Sequence, residues 1–180
     1  WPAVRRWSFV QLAHAVPDIG VQLVRGNREM EDTVFQASTL RRYLMDLDAG
    51  RAGDGRPSAL KEFDLLAHHP VLRDDLLHDE LLPRSAVRSL RAWIGPAGAN
   101  TGLHFDRLDN IAVQVIGTKQ WRLVRPGLVE ELSAASSKYD AWAVLARTDA
   151  RTLAQRQGST CGFFEAQLHA GDVLYVPAGW

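Results

Sequence analysis

The sequence predicts a mostly β domain with flanking helices, in which the strands form a double-stranded β-helix, or jelly-roll, barrel. Three observations carry this prediction. Short strand-like segments joined by tight turns crowd the second half of the 180-residue chain. A largely helical stretch precedes them, and neither a repeat nor a low-complexity segment interrupts the order. Many short strands after a helical preface are typical of a jelly roll with helices packed outside it.

Residues 1–84 are predicted to form a strand and helices that pack on the barrel. Ile19–Arg25 is short and rich in β-branched residues, which indicates a strand. Ser38 is predicted to cap the helix that follows it. Apolar residues recur at helical spacing in that helix: Leu40, Tyr43, Leu44 and Leu47. The stretch Leu60–Leu82 is predicted to be mostly helical.

Residues 85–180 are predicted to form the barrel core, within the same structural domain. Four segments in this half are predicted to be extended: Val87–Ile94, Leu103–Asp106, Phe163–Leu168 and Val173–Val176. Gly171 and Asp172 are turn residues between the last two. Residues from about 127 to 160 are predicted to be a mostly helical insert in the barrel.

Two further strands are predicted to form a hairpin. Asn110–Ile116 and Lys119–Arg125 flank Gly117-Thr118, and a glycine in first position suits a two-residue hairpin turn. In that register Ile116 would lie opposite Lys119. The polar residues Asn110, Gln114 and Lys119 would then share one inward face with apolar neighbours.

Composition and charge narrow the class of protein. Lysine plus arginine and aspartate plus glutamate both number 21, so the formal net charge is zero. This balance removes the usual electrostatic attraction to nucleic acid or an anionic membrane, and argues against both as partners. We also find no apolar run near the roughly 20 residues that a membrane-spanning helix needs.

The single cysteine bears on compartment and metal chemistry. Cys161 has no second cysteine to pair with, so an internal disulfide is excluded, and so is a cysteine-based zinc cage. A reducing compartment, the cytoplasm, is the expected location. His68, His69 and His78 lie near several acidic residues, and we interpret this stretch as a solvated surface.

His104-Phe105-Asp106 is the candidate metal motif. Side chains two residues apart on a strand point the same way, so the imidazole and the carboxylate would face one interior. These are two of the three ligands in a 2-His-1-carboxylate site, which holds Fe(II) on one face and leaves the other positions open. The tripeptide is common by chance, so its surroundings decide its meaning.

Lys119 supplies those surroundings. An ammonium group on an inward strand face needs a partner, because an unpaired buried charge is very costly. A dicarboxylate co-substrate would provide one. Lysine carries a compact charge on a long stem, which suits the bottom of a narrow barrel better than the planar arginine fork. Only 3 of the 21 basic residues are lysines, so a lysine at this position suggests that arginine would not serve there.

At this point a resemblance to a known family becomes specific. The chain resembles the JmjC-domain, cupin-like (Cupin_8 type) hydroxylases, and it is most similar to the branch that contains the asparaginyl hydroxylase acting on hypoxia-inducible factor. The motifs that carry the resemblance, in order, are Trp93-Ile-Gly-Pro-Ala-Gly, Thr101-x-x-His104-x-Asp106, Asn110, Gln114-x-x-Gly117-x-Lys119-x-Trp121 and Gly171-Asp172-Val-Leu-Tyr-Val-Pro177.

The resemblance implies a function and a set of site residues. It implies an Fe(II)- and 2-oxoglutarate-dependent dioxygenase with His104 and Asp106 as catalytic iron ligands. Lys119 would anchor the distal carboxylate of 2-oxoglutarate, Thr101 would bond to the same end, and Asn110 would line the co-substrate pocket. The implied partners are 2-oxoglutarate, O2 and a protein or small-molecule substrate. A homodimer of the full-length protein is also consistent with it.

The chain departs from the family pattern in two places. In the family, the Gly171–Pro177 strand leads through a turn and one or two aromatics to the second iron-binding histidine, whereas this sequence ends at Trp180. We therefore expect a barrel incomplete at its C-terminus, and a fragment that binds Fe(II) weakly and is inactive by itself. Residues 133–162 do not resemble the asparaginyl hydroxylase in detail, so the substrate stays open.

Two other functions remain alternatives. One is a JmjC-like interaction module that has lost catalysis. The other is a cupin metalloenzyme that does not use 2-oxoglutarate, against which Asn110 and Lys119 argue. A histidine within about three residues after Trp180 would favour the oxygenase over the inactive module.

Overall fold

The structure is a computed structural model that describes residues 1–25, 34–53, 57–76, 78–128, 134–136, 143–146 and 163–180. The chain divides into two compact units, Trp1–Asn100 and Thr101–Trp180. Strands dominate, and the helices are short. Within the described ranges, no helix is long and apolar enough to cross a membrane.

The first unit combines helices with a four-stranded antiparallel sheet. Its helices are α1 (Pro2–Arg6), α2 (Phe9–Ala15), α3 (Leu40–Asp48), α4 (Leu65–His68) and α5 (His78–Leu81). Its strands are β1 (Gly20–Arg25), β2 (Val34–Thr39), β3 (Ser58–Phe63) and β4 (Ala92–Ile94). They run in the order β2-β1-β3-β4. Short 3-10 helices cover Arg51–Gly53, Pro70–Asp75 and Arg84–Ala86.

Helix α3 confirms the predicted apolar face. Its buried residues are Leu40, Tyr43, Leu44 and Leu47. This spacing puts four apolar side chains on one side of the helix, where burial stabilises it more than its intrinsic propensity does. The cap lies one residue later than predicted, since the Thr39 hydroxyl, and not that of Ser38, accepts the Arg42 N–H.

Tyr43 joins α3 to the sheet. Its buried hydroxyl lies 2.7 Å from the Ser58 carbonyl oxygen, to which it donates, and 3.1 Å from that of Ile94. Burial raises the pKa of Tyr43 above its usual value, so the hydroxyl stays a donor.

We expect Tyr43→Phe to lower the free energy of unfolding by about 1–3 kcal/mol in urea denaturation, because a buried carbonyl loses its donor. The exposed Tyr175 is the control. An equal loss in Tyr175→Phe would contradict the role given to burial.

The predicted helix over Leu60–Leu82 is wrong at its start. Leu60 and Phe63 belong to β3, where they pair with Ile94 and Ala92 of β4. The register shifts between them, and Glu62 there has a positive φ of 54°. Apolar residues three apart suggested a helix, whereas hydrogen bonds to neighbouring strands and a bulge decided the conformation. Beyond the sheet, the described residues of this stretch form the short helices α4 and α5 and the 3-10 helix Pro70–Asp75. The predicted strand Val87–Ile94 is likewise reduced to Ala92–Ile94.

His69 contradicts the interpretation of its stretch as solvated. The side chain is 3% exposed, and His68 stacks on Phe63 with ring centroids 5.4 Å apart. Burial, and then the neighbouring His68, lower the pKa of His69. Within the described part of the chain no cluster of three metal-binding side chains forms, in this stretch or elsewhere.

The lowered pKa of His69 predicts acid-sensitive stability. The folded chain disfavours the protonated imidazole, so protons bind preferentially to the unfolded chain once the pH falls below the unfolded pKa of about 6.5. We expect the free energy of unfolding to fall from that pH down to the depressed folded pKa, by at most about 1.4 kcal/mol per pH unit. His69→Gln should flatten this slope in denaturation series from pH 7.5 to 5. The exposed His14 is the control, and an equal flattening in His14→Gln would refute the assignment.

The second unit is built of strands. They are β5 (His104–Asp106), β6 (Asn110–Val113), β7 (Thr118–Val124), β8 (Ala134–Ser136), β9 (Ala143–Ala146), β10 (Phe163–His169) and β11 (Val173–Val176). A 3-10 turn covers Pro126–Leu128. Buried apolar side chains come from three strands: Val124, Leu168 and Val176. The predicted extended segments at Leu103–Asp106, Phe163–Leu168 and Val173–Val176 are confirmed.

Strand pairing in this unit is nested. β8 pairs with β9, β7 with β10 and β6 with β11, all antiparallel. β5 also pairs with β9. Nested antiparallel pairs describe one long two-stranded ribbon, and rolling such a ribbon up produces a jelly roll. The pairing is therefore consistent with the predicted fold class. Closure of the barrel and its incompleteness at the C-terminus stay predictions.

The predicted hairpin between β6 and β7 is wrong. Gly117 has the left-handed φ of 73° that the turn prediction relied on, but the strands on its two sides pair elsewhere. The Gln114 N–H donates to the Asp172 carbonyl, and the Gln114 carbonyl accepts from the Gly171 N–H, which extends the β6–β11 ladder. Lys119 lies opposite Leu168 on β10. Because this hairpin does not form, the inference that Asn110, Gln114 and Lys119 share one of its faces is also wrong.

The prediction of a mostly helical insert over residues 127–160 is wrong at two described segments. These two segments are strands, Ala134–Ser136 and Ala143–Ala146. They pair with each other and form the innermost pair of the nested strands. The rest of the insert beyond Leu128 lies outside the described residues.

Candidate active site

His104 and Asp106 lie at the two ends of β5, and both side chains are half-buried. They pair with Leu145 and Ala143 of β9, which fixes the strand in an extended conformation. In that conformation side chains two residues apart point to the same face. The imidazole and the carboxylate are therefore on one side of β5, as predicted.

The tautomer of His104 follows from its one recorded hydrogen bond. Nδ1 lies 2.8 Å from the carbonyl oxygen of Gly102. A carbonyl oxygen can only accept, so Nδ1 carries a proton, and in the neutral imidazole Nε2 therefore keeps its lone pair. Metal-binding histidines commonly use this arrangement, in which a backbone carbonyl holds the ring while the other nitrogen coordinates.

Asn110 holds the carboxylate of Asp106. The Asn110 amide Nδ2 donates to Asp106 Oδ2 over 2.6 Å, across the loop from β5 to β6. This contact orients the carboxylate and leaves Oδ1 for another partner. The family resemblance implied that Asn110 would line a co-substrate pocket, and the structure adds this contact with the candidate iron ligand.

A second contact network joins the same loop to the end of β11. Asp109 Oδ1 accepts the Ala178 N–H at 2.8 Å, and the carbonyl oxygen of Asp106 accepts the Gly179 N–H at 2.8 Å. The Tyr175 hydroxyl bonds to the Asp109 carboxylate, which raises the pKa of Tyr175. The turn after β11 is therefore held beside Asp106. Asp109 was not among the predicted site residues, because its role depends on a turn that folds back from β11.

Lys119 is half-buried on β7. Its Nζ lies 4.7 Å from the centroid of the Trp121 ring, a cation–π distance. Burial lowers the pKa of Lys119. The indole Nε1 of Trp121 is buried and, within the described residues, has no hydrogen-bond partner. Leaving such a donor unsatisfied costs about 1–3 kcal/mol.

The structure relates some of the five predicted site residues to one another directly, and others it does not. The structure brings Asp106 and Asn110 into contact and puts His104 on the strand of Asp106. Thr101 is exposed just before β5. Lys119 belongs to the β7–β10 ladder. A common pocket that joins Thr101 and Lys119 to the His104–Asp106 pair stays a prediction.

The donor set fits Fe(II) in part. One imidazole nitrogen with a free lone pair and one oriented carboxylate oxygen match two positions of the 2-His-1-carboxylate site. No third histidine, cysteine or carboxylate joins them among the described residues. The pair could therefore supply two of the three protein ligands of such a site, and iron binding by His104 and Asp106 stays a prediction.

Comparison with known proteins identifies the relatives of this chain. It is 27% identical over 188 residues to Lysine-specific demethylase JMJ30 of Arabidopsis thaliana, with all of this chain and 43% of that protein covered. It is 27% identical over 195 residues to Jumonji C domain-containing protein 5 of Drosophila melanogaster, again over all of this chain and 47% of that protein. The chain spans less than half the length of either.

A third relative carries a different name. The chain is 28% identical over 121 residues to tRNA wybutosine-synthesizing protein 5 of Homo sapiens, over 65% of this chain and 36% of that protein. The narrower resemblance to the asparaginyl hydroxylase branch stays a prediction. The family model described as "Cupin-like domain" matches residues 1–180, which is the entire sequence. With its nested strands and its His-x-Asp strand, this chain belongs to the cupin-like domain family.

Proposed function

We propose that this chain forms the metal- and co-substrate-binding part of an Fe(II)- and 2-oxoglutarate-dependent dioxygenase. One observation carries the proposal: β5 presents an imidazole with a free Nε2 and a carboxylate oriented by Asn110 on the same face. Membership of the cupin-like domain family supports it. The names of relatives that include a lysine-specific demethylase and a Jumonji C domain-containing protein point the same way.

The residues of this chain have distinct roles in the proposal. His104 Nε2 and Asp106 Oδ1 hold iron, while Gly102 and Asn110 keep those two ligands in place. Lys119 neutralises the distal carboxylate of 2-oxoglutarate, and Thr101 bonds to the same end. Bound Fe(II) supplies the activation of O2 that oxidises a C–H bond while 2-oxoglutarate is converted to succinate and CO2.

The substrate class in this proposal is a protein side chain or a small molecule. Hydroxylation of a C–H bond and removal of an N-methyl group begin with the same oxidation, so relatives named as demethylases are compatible with a hydroxylase. Asparagine hydroxylation is one such outcome. A tRNA substrate, as the third relative's name suggests, is disfavoured by the zero net charge of the chain.

Succinate formation tests the proposal. The full protein, with any residues that follow Trp180, is incubated with Fe(II), ascorbate and 2-oxoglutarate, and succinate is measured. We expect slow uncoupled release that rises with the correct substrate in a panel of asparaginyl peptides, methyl-lysyl peptides and tRNA. Absence of succinate despite bound Fe(II) and 2-oxoglutarate would refute the catalytic proposal and favour the inactive interaction module.

Binding measurements distinguish the proposed oxygenase from a cupin metalloenzyme that does not use 2-oxoglutarate. A cupin metalloenzyme that does not use 2-oxoglutarate would bind a divalent metal while 2-oxoglutarate fails to bind the metal-loaded protein in calorimetry. Enhanced 2-oxoglutarate affinity in the presence of metal is the result that we expect. It would exclude that alternative.

A further inference from the structure

The two faces of β7 differ in how their polar groups are satisfied. Thr118, Gln120 and Arg122 are exposed, whereas Lys119, Trp121 and Leu123 are half-buried. The outward cation has a partner, since Arg122 Nε donates to Glu165 Oε1 of β10 at 2.7 Å. The inward face carries a cation and an indole N–H side by side.

Neither inward donor has an acceptor in the described ranges. The ammonium of Lys119 stands over the Trp121 ring, 4.7 Å from its centroid, and the structure records no ion pair for it within those ranges. The Nε1 of Trp121 is buried without a hydrogen-bond partner there. Burial lowers the pKa of Lys119, as expected for a cation in a poorly solvated site. Buried donors in proteins are almost always satisfied, so a buried indole N–H without an acceptor, next to a half-buried ammonium, indicates a ligand that brings oxygen atoms.

We propose that the indole N–H of Trp121 is a second donor to the carboxylate of 2-oxoglutarate that Lys119 holds. A carboxylate has two oxygens, so one accepts from the ammonium and the other from Nε1. This proposal rests on the proposed function and adds a specificity-determining residue to it. A neutral amide at the distal end of the co-substrate offers only one oxygen, so the pair selects a dicarboxylate.

Trp121→Phe tests the proposal because it removes the N–H and keeps an aromatic ring beneath the ammonium. We expect the dissociation constant of 2-oxoglutarate, measured by calorimetry on the full protein with Mn(II) in place of Fe(II), to rise about 10-fold. At saturating 2-oxoglutarate, kcat should be unchanged while KM for 2-oxoglutarate rises.

Trp93→Phe is the matched control, because Trp93 is 50% exposed on β4. It should leave the affinity for 2-oxoglutarate unchanged. A direct readout uses the wild-type protein loaded with diamagnetic Zn(II). The indole 15N–1H resonance that is missing in Trp121→Phe should shift when 2-oxoglutarate is added. This resonance reports on the N–H itself, and its shift is measured on the wild-type protein.

The outcomes separate this inference from the function on which it rests. If Lys119→Ala abolishes 2-oxoglutarate binding while Trp121→Phe binds as tightly as wild type, the role of Trp121 is refuted and the oxygenase proposal survives. Failure of the wild-type protein to bind 2-oxoglutarate would remove both.

Discussion

Replacing His104 with alanine is expected to lower both Fe(II) affinity and succinate release by more than about 100-fold. Groups that merely hold a ligand in place commonly change metal affinity or activity 10–100-fold. Loss of the ligand itself should exceed that range. Fe(II) binding is measured by anaerobic titration of the full protein, and turnover by succinate formation from 2-oxoglutarate.

His169 provides the matched control for this change. It lies at the end of β10, is exposed, and is bound through its backbone N–H to Asp172, so an alanine there removes an imidazole without touching β5. We expect His169→Ala to retain wild-type iron affinity and turnover. Equal turnover in His104→Ala and wild type would end the catalytic proposal. A loss confined to His169→Ala would move the metal site to another part of the fold.

Replacing Lys119 with alanine is expected to raise the dissociation constant of 2-oxoglutarate about 100-fold. A hydrogen bond to a charged group contributes roughly 1.5–3 kcal/mol, which is about 10- to 150-fold in affinity, and a shielded carboxylate left without its cation lies at the upper end of that range. The ligand-free protein should lose no stability, because a poorly solvated ammonium disappears. Calorimetry and thermal unfolding measure the two effects.

Two variants of the same strand complete this experiment. Lys119→Arg keeps the charge but replaces the compact ammonium with a planar fork, and we expect it to recover only part of the affinity. Arg122→Ala removes the outward cation and its exposed contact with Glu165, so it should leave 2-oxoglutarate binding unchanged. Equal binding by Lys119→Ala and wild type would show that this lysine is not the co-substrate anchor.

Elements with a strong local signal could be predicted from the sequence. Helix α3 has four apolar residues on one face, and β1 is a short run rich in valine and leucine. Gly171, with a φ of 101°, and Asp172 mark the turn between β10 and β11. In each case the residues that decide the conformation are close neighbours in the chain, so periodicity and turn chemistry suffice.

Pairing between distant strands could not be predicted in the same way. Gly117 turns the chain as expected, yet β6 pairs with β11 and β7 with β10, at sequence separations of 39 to 66 residues between paired residues. Turn residues report the local direction of the chain but not which strand will accept its hydrogen bonds. The prediction of a helix at Leu60–Phe63 was wrong for the same reason. The spacing of its apolar residues also suits a helix, but pairing with neighbouring strands makes this segment part of β3.

The candidate site shows the same division. His104, Asp106 and Lys119 could be selected from residue type and spacing, because metal and carboxylate binding demand particular side chains. Asp109 and the N–H of Trp121 could not. Their importance arises from a turn that folds back from β11, and from a buried face that lacks an acceptor.

The family, the strands β5, β6, β7, β10 and β11 and the candidate ligands could be assigned from the sequence alone, because they depend on side-chain chemistry and short-range spacing. The fold was needed to show which nitrogen of His104 is free, what orients Asp106 and which face of β7 holds unsatisfied donors. Hydrogen-bond partners and burial are properties of residues brought together from far apart, and a linear pattern does not contain them.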